Sequence, residues 1–321
     1  MAPLASIDNR ALVVRAHQMR VDAWAAEAIV ALNGAGVECL LLKGPVTARW
    51  LYQDDPTQRP YVDVDLLIAP GQAEDAHRVL VRLGYAPQAA AMPPGDLPHA
   101  RPYQRASDRA NVDLHRVPNG MRTVPERSAW AAMTRETETL SVAGVTVTAP
   151  GAVARTLLLA LHISPRNNAL SRAGRDLRRA GTLVPQSTWH QAAVLARSLG
   201  LEREMGHRLW VISDTRDLAE RLALPMGETA SYALFRTAQS DHPRGTLSLL
   251  TVSEYATVRE RLRYVAVKLY PPPVVLADRD PLARRGRGGL IAARLRWQWH
   301  CARWLPAAVR AWRAQRPRVV R

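Results

Sequence analysis

Asp63 and Asp65 sit in the run Val62-Asp63-Val64-Asp65-Leu66-Leu67-Ile68, whose first half alternates strictly between apolar and acidic residues. Successive side chains of a strand point to opposite faces, so the two acids share one face and Val62, Val64 and Leu66 the other. Two carboxylates that close repel each other unless a cation sits between them. An Asp-x-Asp pair alone is common at exposed strand ends. This one gains weight from Asp113, a third acid flanked by Val112 and Leu114 on a second predicted strand. Three carboxylates converging from two strands make a hard, oxygen-rich site suited to Mg²⁺, with Mn²⁺ as the alternative. Two such ions would clamp the attacking and leaving oxygens of a phosphoryl-type displacement. His115 lies two residues after Asp113, hence on the same strand face. It is placed to touch substrate or a metal-bound water, or to pack behind the acids.

The complementary half lies upstream. A short apolar run ends at Lys43-Gly44-Pro45 and leads into a helix. Glycine at a strand-to-helix turn lets a phosphate approach the backbone, and helix-start N–H groups attract anions. Lys43 adds a point charge. It is one of two lysines in a chain with 42 arginines, which favours a functional role over a solvated strand end. Arg59, four residues before Asp63, offers phosphate oxygens a fork of donors; an ion pair with Asp54 or Asp55 would serve it equally well.

Residues 9–34 read as an amphipathic helix with Leu12, Ala16, Met19, Ala23, Ala26 and Val30 on one face. A buried strand over Val37–Leu42, a helix from Pro45 to Tyr52 and a polar loop from Gln53 to Pro60 follow. After the Asp-x-Asp strand come a helix over 71–84 closed by Gly84 and a Pro-rich loop over 87–102. A hairpin of strands 102–106 and 112–115 spans Ser107–Asn111, and short strands at 137–142 and 145–148 flank Ala143-Gly144. Residues 1–150 thus form an α+β domain. Beyond Pro150 the spacing is helical over Val153–His162, 187–199, 202–222, 228–238 and 253–269, ended by Pro271-Pro272-Pro273. Residues 151–282 make an all-helical domain, and 283–321 a basic helical tail entered through an Arg/Gly linker, Arg284–Gly289.

The 321 residues are 47% apolar, enough for two cores, and no apolar run is long enough to span a bilayer. The N-terminal twenty residues lack a secretory layout. Cys39 and Cys301 lie too far apart in sequence for a CxxC site or a disulfide scaffold, and the nine histidines contain no HxxxH or HExxH pair. A cytoplasmic location is expected, with a peripheral place at the membrane left open. The net charge is +16, and from Pro281 onward there are eleven arginines and no acid. The arginine bias itself reads as a mark of a GC-rich genome. In the tail, Trp297, Trp299, Trp304 and Trp312 interleave with Arg294, Arg296, Arg303, Arg310 and Arg313, and residues 290–304 can form a helix. Such a mixture suits packing on the helical domain, an anionic membrane surface or RNA, the last two through residues 284–321.

The run from Leu41 to Ile68, LLKGPVTARWLYQDDPTQRPYVDVDLLI, followed by NVDLH at Asn111–His115, resembles the uncharacterised bacterial nucleotidyltransferases of the polymerase-β superfold. Their pattern is a strand, a Lys-Gly or Gly-Ser turn, a helix ending near Leu-Tyr, Arg-Pro before Asp-x-Asp, and a later strand with a third acid. The resemblance implies an N-terminal mixed sheet with flanking helices. It makes Asp63, Asp65 and Asp113 the catalytic metal ligands, Asp113 near the acceptor hydroxyl. Lys43 and Gly44 become the triphosphate cradle, and Arg59 a phosphate contact. The implied reaction moves a nucleoside monophosphate from an NTP to an acceptor (a small molecule, a peptide or protein, or an RNA end) and releases pyrophosphate. Pro45 stands where many members carry serine, which removes a hydroxyl and an N–H from phosphate binding. The contrasting reading is a catalytically silent nucleotide-binding or scaffold protein acting through its basic tail.

Five further residues read more simply. His162 and His190 lie in apolar helical contexts and are expected in the core, Cys39 reads as a buried apolar residue, and Asp176 with Arg175 would cap or bridge helices, a substrate role being the alternative.

Overall fold

In a computed structural model of the chain, residues 9–88, 100–163, 171–225, 243, 245–254 and 258–315 are described. The N-terminal part orders as α1 (Asn9–Gly34), β1 (Cys39–Leu41), α2 (Pro45–Leu51), β2 (Val64–Ile68), α3 (Ala73–Arg82), β3 (Ala86–Pro87), β4 (Ala100–Arg105), β5 (Ala110–His115), α4 (Glu126–Thr134), β6 (Thr137–Val142) and β7 (Val145–Pro150). β1 to β5 form one mixed sheet in the order β1-β2-β5-β4-β3, while β6 and β7 pair as a separate hairpin. β2 and β5 run parallel, and every other pairing is antiparallel. This is the expected α+β arrangement. The Pro-rich loop over 87–102 lies mostly outside the described residues, and both of its described ends are strand.

Strand alternation divides the sheet into two faces. Leu41, Val64, Leu66, Ile68, Val112 and Leu114 point to one side and pack with α1 and α3. Leu40, Leu42 and Leu67 point to the other and join a core built with the helices that follow. Asp65, Asp113 and His115 have the parity of this second face. The acids therefore open toward the helical half of the chain.

α1 is present over the expected span, but a different face is buried. Leu12, Met19 and Val30 are exposed and Ala16 and Ala23 face solvent, whereas Val21, Ala25, Ala28, Ile29 and Leu32 are covered. Apolar residues surround this helix, so spacing alone does not choose a side. Two polar residues make the choice. Gln18 donates to the carbonyls of Pro56 and Arg59 at 2.8 and 3.2 Å. Asp22 accepts from the Tyr61 hydroxyl at 2.7 Å and from Arg49 Nη2 at 2.9 Å. Burial is tolerated because the Asp22 carboxylate and the Gln18 amide nitrogen are paired, although the Gln18 Oε1 is buried without a partner among the described residues.

The helical part comprises α5 (Ala152–His162), α6 (Arg172–Leu183), α7 (Gln186–Ser198), α8 (Glu202–Val211) and α9 (Arg216–Arg221). Helices Thr246–Glu254, Val258–Leu269, Pro273–Arg279 and Gly286–Gln315 follow. The single helix expected over 202–222 is broken at Ile212, where a 3₁₀ turn over Ser213–Thr215 intervenes. The helix expected over 228–238 lies outside the described residues. α6 lies between the helical segments read from spacing, and Pro271–Pro273 do not end the helical part, since Pro273 opens a further helix. The Arg/Gly segment is not an extended linker. Its C-terminal half, from Gly286, is the first turn of a 30-residue helix, which packs against Thr246–Glu254 and Pro273–Arg279.

Candidate functional site

The strand-to-helix turn is built on backbone conformation. Gly44 has φ +62° and ψ −110°, open to glycine and closed to residues with a Cβ. A Cβ there would also stand 3.5 Å from the Tyr61 ring, which Asp22 holds in place. The turn ends β1 abruptly and starts α2 with Pro45, whose missing N–H is no loss at a first helical position. Lys43 is thereby aimed across the sheet end, and its Nζ donates to Asp65 Oδ1 at 3.1 Å.

Asp65 and Asp113 occupy matched positions on the parallel strands β2 and β5. Side chains level with each other on adjacent strands stand on the same face, so both carboxylates point into one space. His115 closes the group, its Nε2 2.8 Å from Asp65 Oδ1. Asp65, Asp113 and His115 each bring a ligand atom within 4.8 Å of the others, and they are the group among the described residues able to hold a metal ion. Asp63 lines the same cleft but precedes β2, and its carboxylate stands outside this group. The geometry thus puts His115 beside two of the three expected acids, with Asp63 elsewhere in the lining of the same cleft.

Charge follows geometry. Burial raises the Asp113 carboxyl to about 6, with Asp65 and Asp63 adding to the rise and His115 opposing it. Asp63 is raised by burial and by Asp65, against Lys43, Arg172 and Arg59. Burial presses upward on Asp65 as well, but Lys43 and His115 outweigh it and hold this carboxyl well below the usual range. One acid is committed to its charge while its neighbours resist theirs, as expected where like charges share a small volume.

The helical part supplies the opposite wall. Asn119, His162 and Arg172 join Lys43, Gly44 and the acids around a polar cleft of about 250 Å³. His162, expected in the core, stands at this wall. Burial, then the nearby Lys43, lowers it to about 3, so it is neutral, and its Nδ1 lies 3.3 Å from Asn119 Nδ2. Arg172 is lowered by burial and by Arg59, and Asp63 and Asp176 favour its charge. His190 is exposed, its Nδ1 2.9 Å from the Gln186 carbonyl, because the adjacent Trp189 takes the core position. Cys39 is half-buried, and burial lifts its thiol to about 12.

Arg59 lines the cleft but does not pair with Asp54 or Asp55. Its Nε and Nη2 donate to Asp176 Oδ2 on α6 at 3.1 and 2.9 Å, and Tyr52 donates to Oδ1 at 3.0 Å. Asp55 instead caps the turn at Thr57, and Asp54 lies 3.8 Å from Arg179. Asp176 does bridge elements, with Arg59 and Tyr52 as its partners. This buried pair pins the loop before β2 to α6 and so fixes the width of the cleft. A larger groove of about 350 Å³ between α4, α5 and α7 is mostly aliphatic, lined by Val153, Val194 and Leu195 with Glu136 and His190 at its edge. It is separate from Asp63, Asp65 and Asp113, which line the smaller, polar cleft.

The resemblance read from the motifs is matched by comparison with protein families. A family described as uncharacterised nucleotidyltransferase matches residues 1–216, from α1 to the first residue of α9, and the chain belongs to that family. No curated protein and no solved structure matches the chain significantly.

Proposed function

We propose that this member of the uncharacterised nucleotidyltransferase family is a Mg²⁺-dependent enzyme that moves a nucleoside monophosphate from an NTP to an acceptor and releases pyrophosphate. One observation carries the reading. Asp65 and Asp113 stand level on adjacent parallel strands and line one polar cleft together with the Lys43–Gly44 turn. The donor set fits a hard divalent cation: two carboxylates converge, a third lines the same cleft, and the raised Asp63 and Asp113 carboxyls mark charge that a cation would relieve. Asp65 and Asp113 would hold the metal, with Asp63 reaching in from elsewhere in the cleft and His115 orienting Asp65 through its hydrogen bond. When bound, the ions would neutralise the triphosphate and the charge developing at the reacting phosphorus.

The remaining tasks fall to the chain itself. Lys43 sits between Asp65 and the Gly44 turn, placed to receive phosphate oxygens, and Arg172 offers a second positive charge from the facing helix. Gly44 leaves the backbone bare where the phosphates would pass. Arg59, engaged by Asp176, adds its field to the same wall. Asp113 lines the cleft beside the space an acceptor would enter, where it would orient the acceptor hydroxyl at the metal. Catalysis here is positioning and charge neutralisation, with no covalent intermediate. Residues 1–150 carry the metal and nucleotide, and residues 151–282 shape the acceptor side of the cleft.

The test is incubation with each labelled NTP, Mg²⁺ and candidate acceptors. Pyrophosphate release that is lost in Asp65→Asn and Asp113→Asn supports the enzyme. Nucleotide binding without turnover, equal in wild type and both variants, supports a silent nucleotide-binding protein instead.

A further inference from the structure

The helix Gly286–Gln315 has two apolar faces, and among the described residues only one is buried. Ala293, Cys301 and Ala308 are buried, and Trp297 anchors the same side by donating its indole N–H to the Lys268 carbonyl at 2.8 Å. On the opposite side Ile291, Leu295 and Trp299 follow one another at four-residue spacing and are 58%, 62% and 61% exposed. A helix that only covered its own protein would be polar there. The helix Val258–Leu269, which Trp297 touches, repeats the pattern. Its Tyr264 is buried, whereas Val258, Leu262, Val265 and Leu269 form an exposed row on the far side.

Charge selects what would cover these rows. The Arg303 guanidinium lies 4.7 Å from the Trp299 ring centroid, and Arg310 and Arg313 continue along the exposed surface. No acid occurs from Pro281 to Arg321. Aliphatic and tryptophan side chains bordered by arginines suit the boundary between headgroups and acyl chains in an anionic bilayer. Single-stranded RNA would engage the arginines and Trp299, but its bases and phosphates give Ile291, Leu295, Leu262 and Leu269 nothing to bury against. Among the described residues no helix is long and apolar enough to cross a membrane, so contact would run along its surface.

We propose that the outer face of Gly286–Gln315 docks this protein peripherally on an anionic lipid bilayer. The inference is independent of catalysis. The full-length protein is floated with vesicles of phosphatidylcholine alone, or of phosphatidylcholine with a third phosphatidylglycerol, at low and high salt. Flotation with the anionic vesicles only, weakened by salt, is expected. The triple variant Ile291→Asp, Leu295→Asp, Trp299→Asp should stay at the bottom while keeping the circular dichroism of the wild type, because those side chains are mostly exposed. Arg303→Glu with Arg310→Glu should weaken binding roughly twentyfold or more, since each arginine at such a surface contributes about a factor of five. Absence of flotation with anionic vesicles, or flotation unchanged in both variants, overturns the proposal. So does a doubled mass in solution that the triple variant abolishes, which would assign the face to a second copy. Tight binding of a polyuridine probe that is insensitive to the triple variant, without vesicle binding, would assign the arginines to RNA.

Discussion

Replacing Arg59 by methionine removes one half of an ion pair that is almost wholly out of water, the two side chains being 7% and 2% exposed. Asp176 would keep a single donor, the Tyr52 hydroxyl, and an uncompensated charge. Breaking a buried pair from one side costs about 3–5 kcal/mol. For a cooperative unit of this size that is a fall of roughly 10 °C in Tm. Asp176→Leu should cost a similar amount by stranding Arg59. The double variant should recover much of the loss, because the cost lies in the unpaired charge more than in the missing pair. Urea denaturation of the four proteins, read as a double-mutant cycle, should give a coupling of about 2 kcal/mol or more. Single variants that each cost less than about 1 kcal/mol and add within about 0.5 kcal/mol would refute the reasoning. Arg59 would then serve the nucleotide rather than hold the cleft together, and NTP affinity would fall without loss of stability.

Gly44→Ala puts a Cβ on a backbone that L-residues avoid, so a loss of about 1–3 kcal/mol in urea denaturation is expected, with weaker nucleotide binding as the turn shifts. His115→Ala releases Asp65 from its 2.8 Å contact and should weaken Mn²⁺ binding by roughly ten- to a hundredfold in calorimetry, the range for partners that orient a metal ligand. pH should act through Asp113, which lies at about 6 against an ordinary 3.8. Because the folded state holds this proton more tightly than the unfolded chain, Asp113 takes stability away as the pH rises from 3.8 towards 6, while His162, lowered to about 3, returns stability over the same range, so the Asp113 contribution is read as the difference between the wild type and metal-free Asp113→Asn. Metal affinity should move the other way, dropping about tenfold for each pH unit below 6, because the proton must leave before the cation enters. Denaturation midpoints and Mn²⁺ titrations across this range check both signs.

The site was readable where chemistry is local. The period-two run at Val62–Ile68 put Asp63 and Asp65 on one face, and Val112-Asp113-Leu114 repeated the signal, so the sheet parity and its polar side followed from spacing alone. That Asp65 and Asp113 stand level depends on the register of two strands separated by α3 and the β3–β4 hairpin, which spacing does not encode. The His115 contact with Asp65 follows from that register. Arg59 shows the same limit. Its neighbours in sequence are Asp54 and Asp55, yet its partner lies on α6, 117 residues away. Arg172, Asn119 and His162 carried no motif of their own and came to the cleft only because α5 and α6 pack on the sheet face bearing the acids. The buried side of α1 was hidden for another reason: alanine and valine surround the helix, and the deciding residues, Gln18 and Asp22, are polar types that a hydrophobic pattern discards.

The central claim is that the acids of β2 and β5 share a metal facing the Lys43–Gly44 turn. Anomalous scattering from crystals grown with Mn²⁺ and a non-hydrolysable NTP tests it most directly. A peak between the carboxylates of Asp65 and Asp113 is expected, with the triphosphate running past Gly44 to Lys43. A metal or triphosphate bound elsewhere, with those two carboxylates still facing each other across empty or water-filled space, would contradict it.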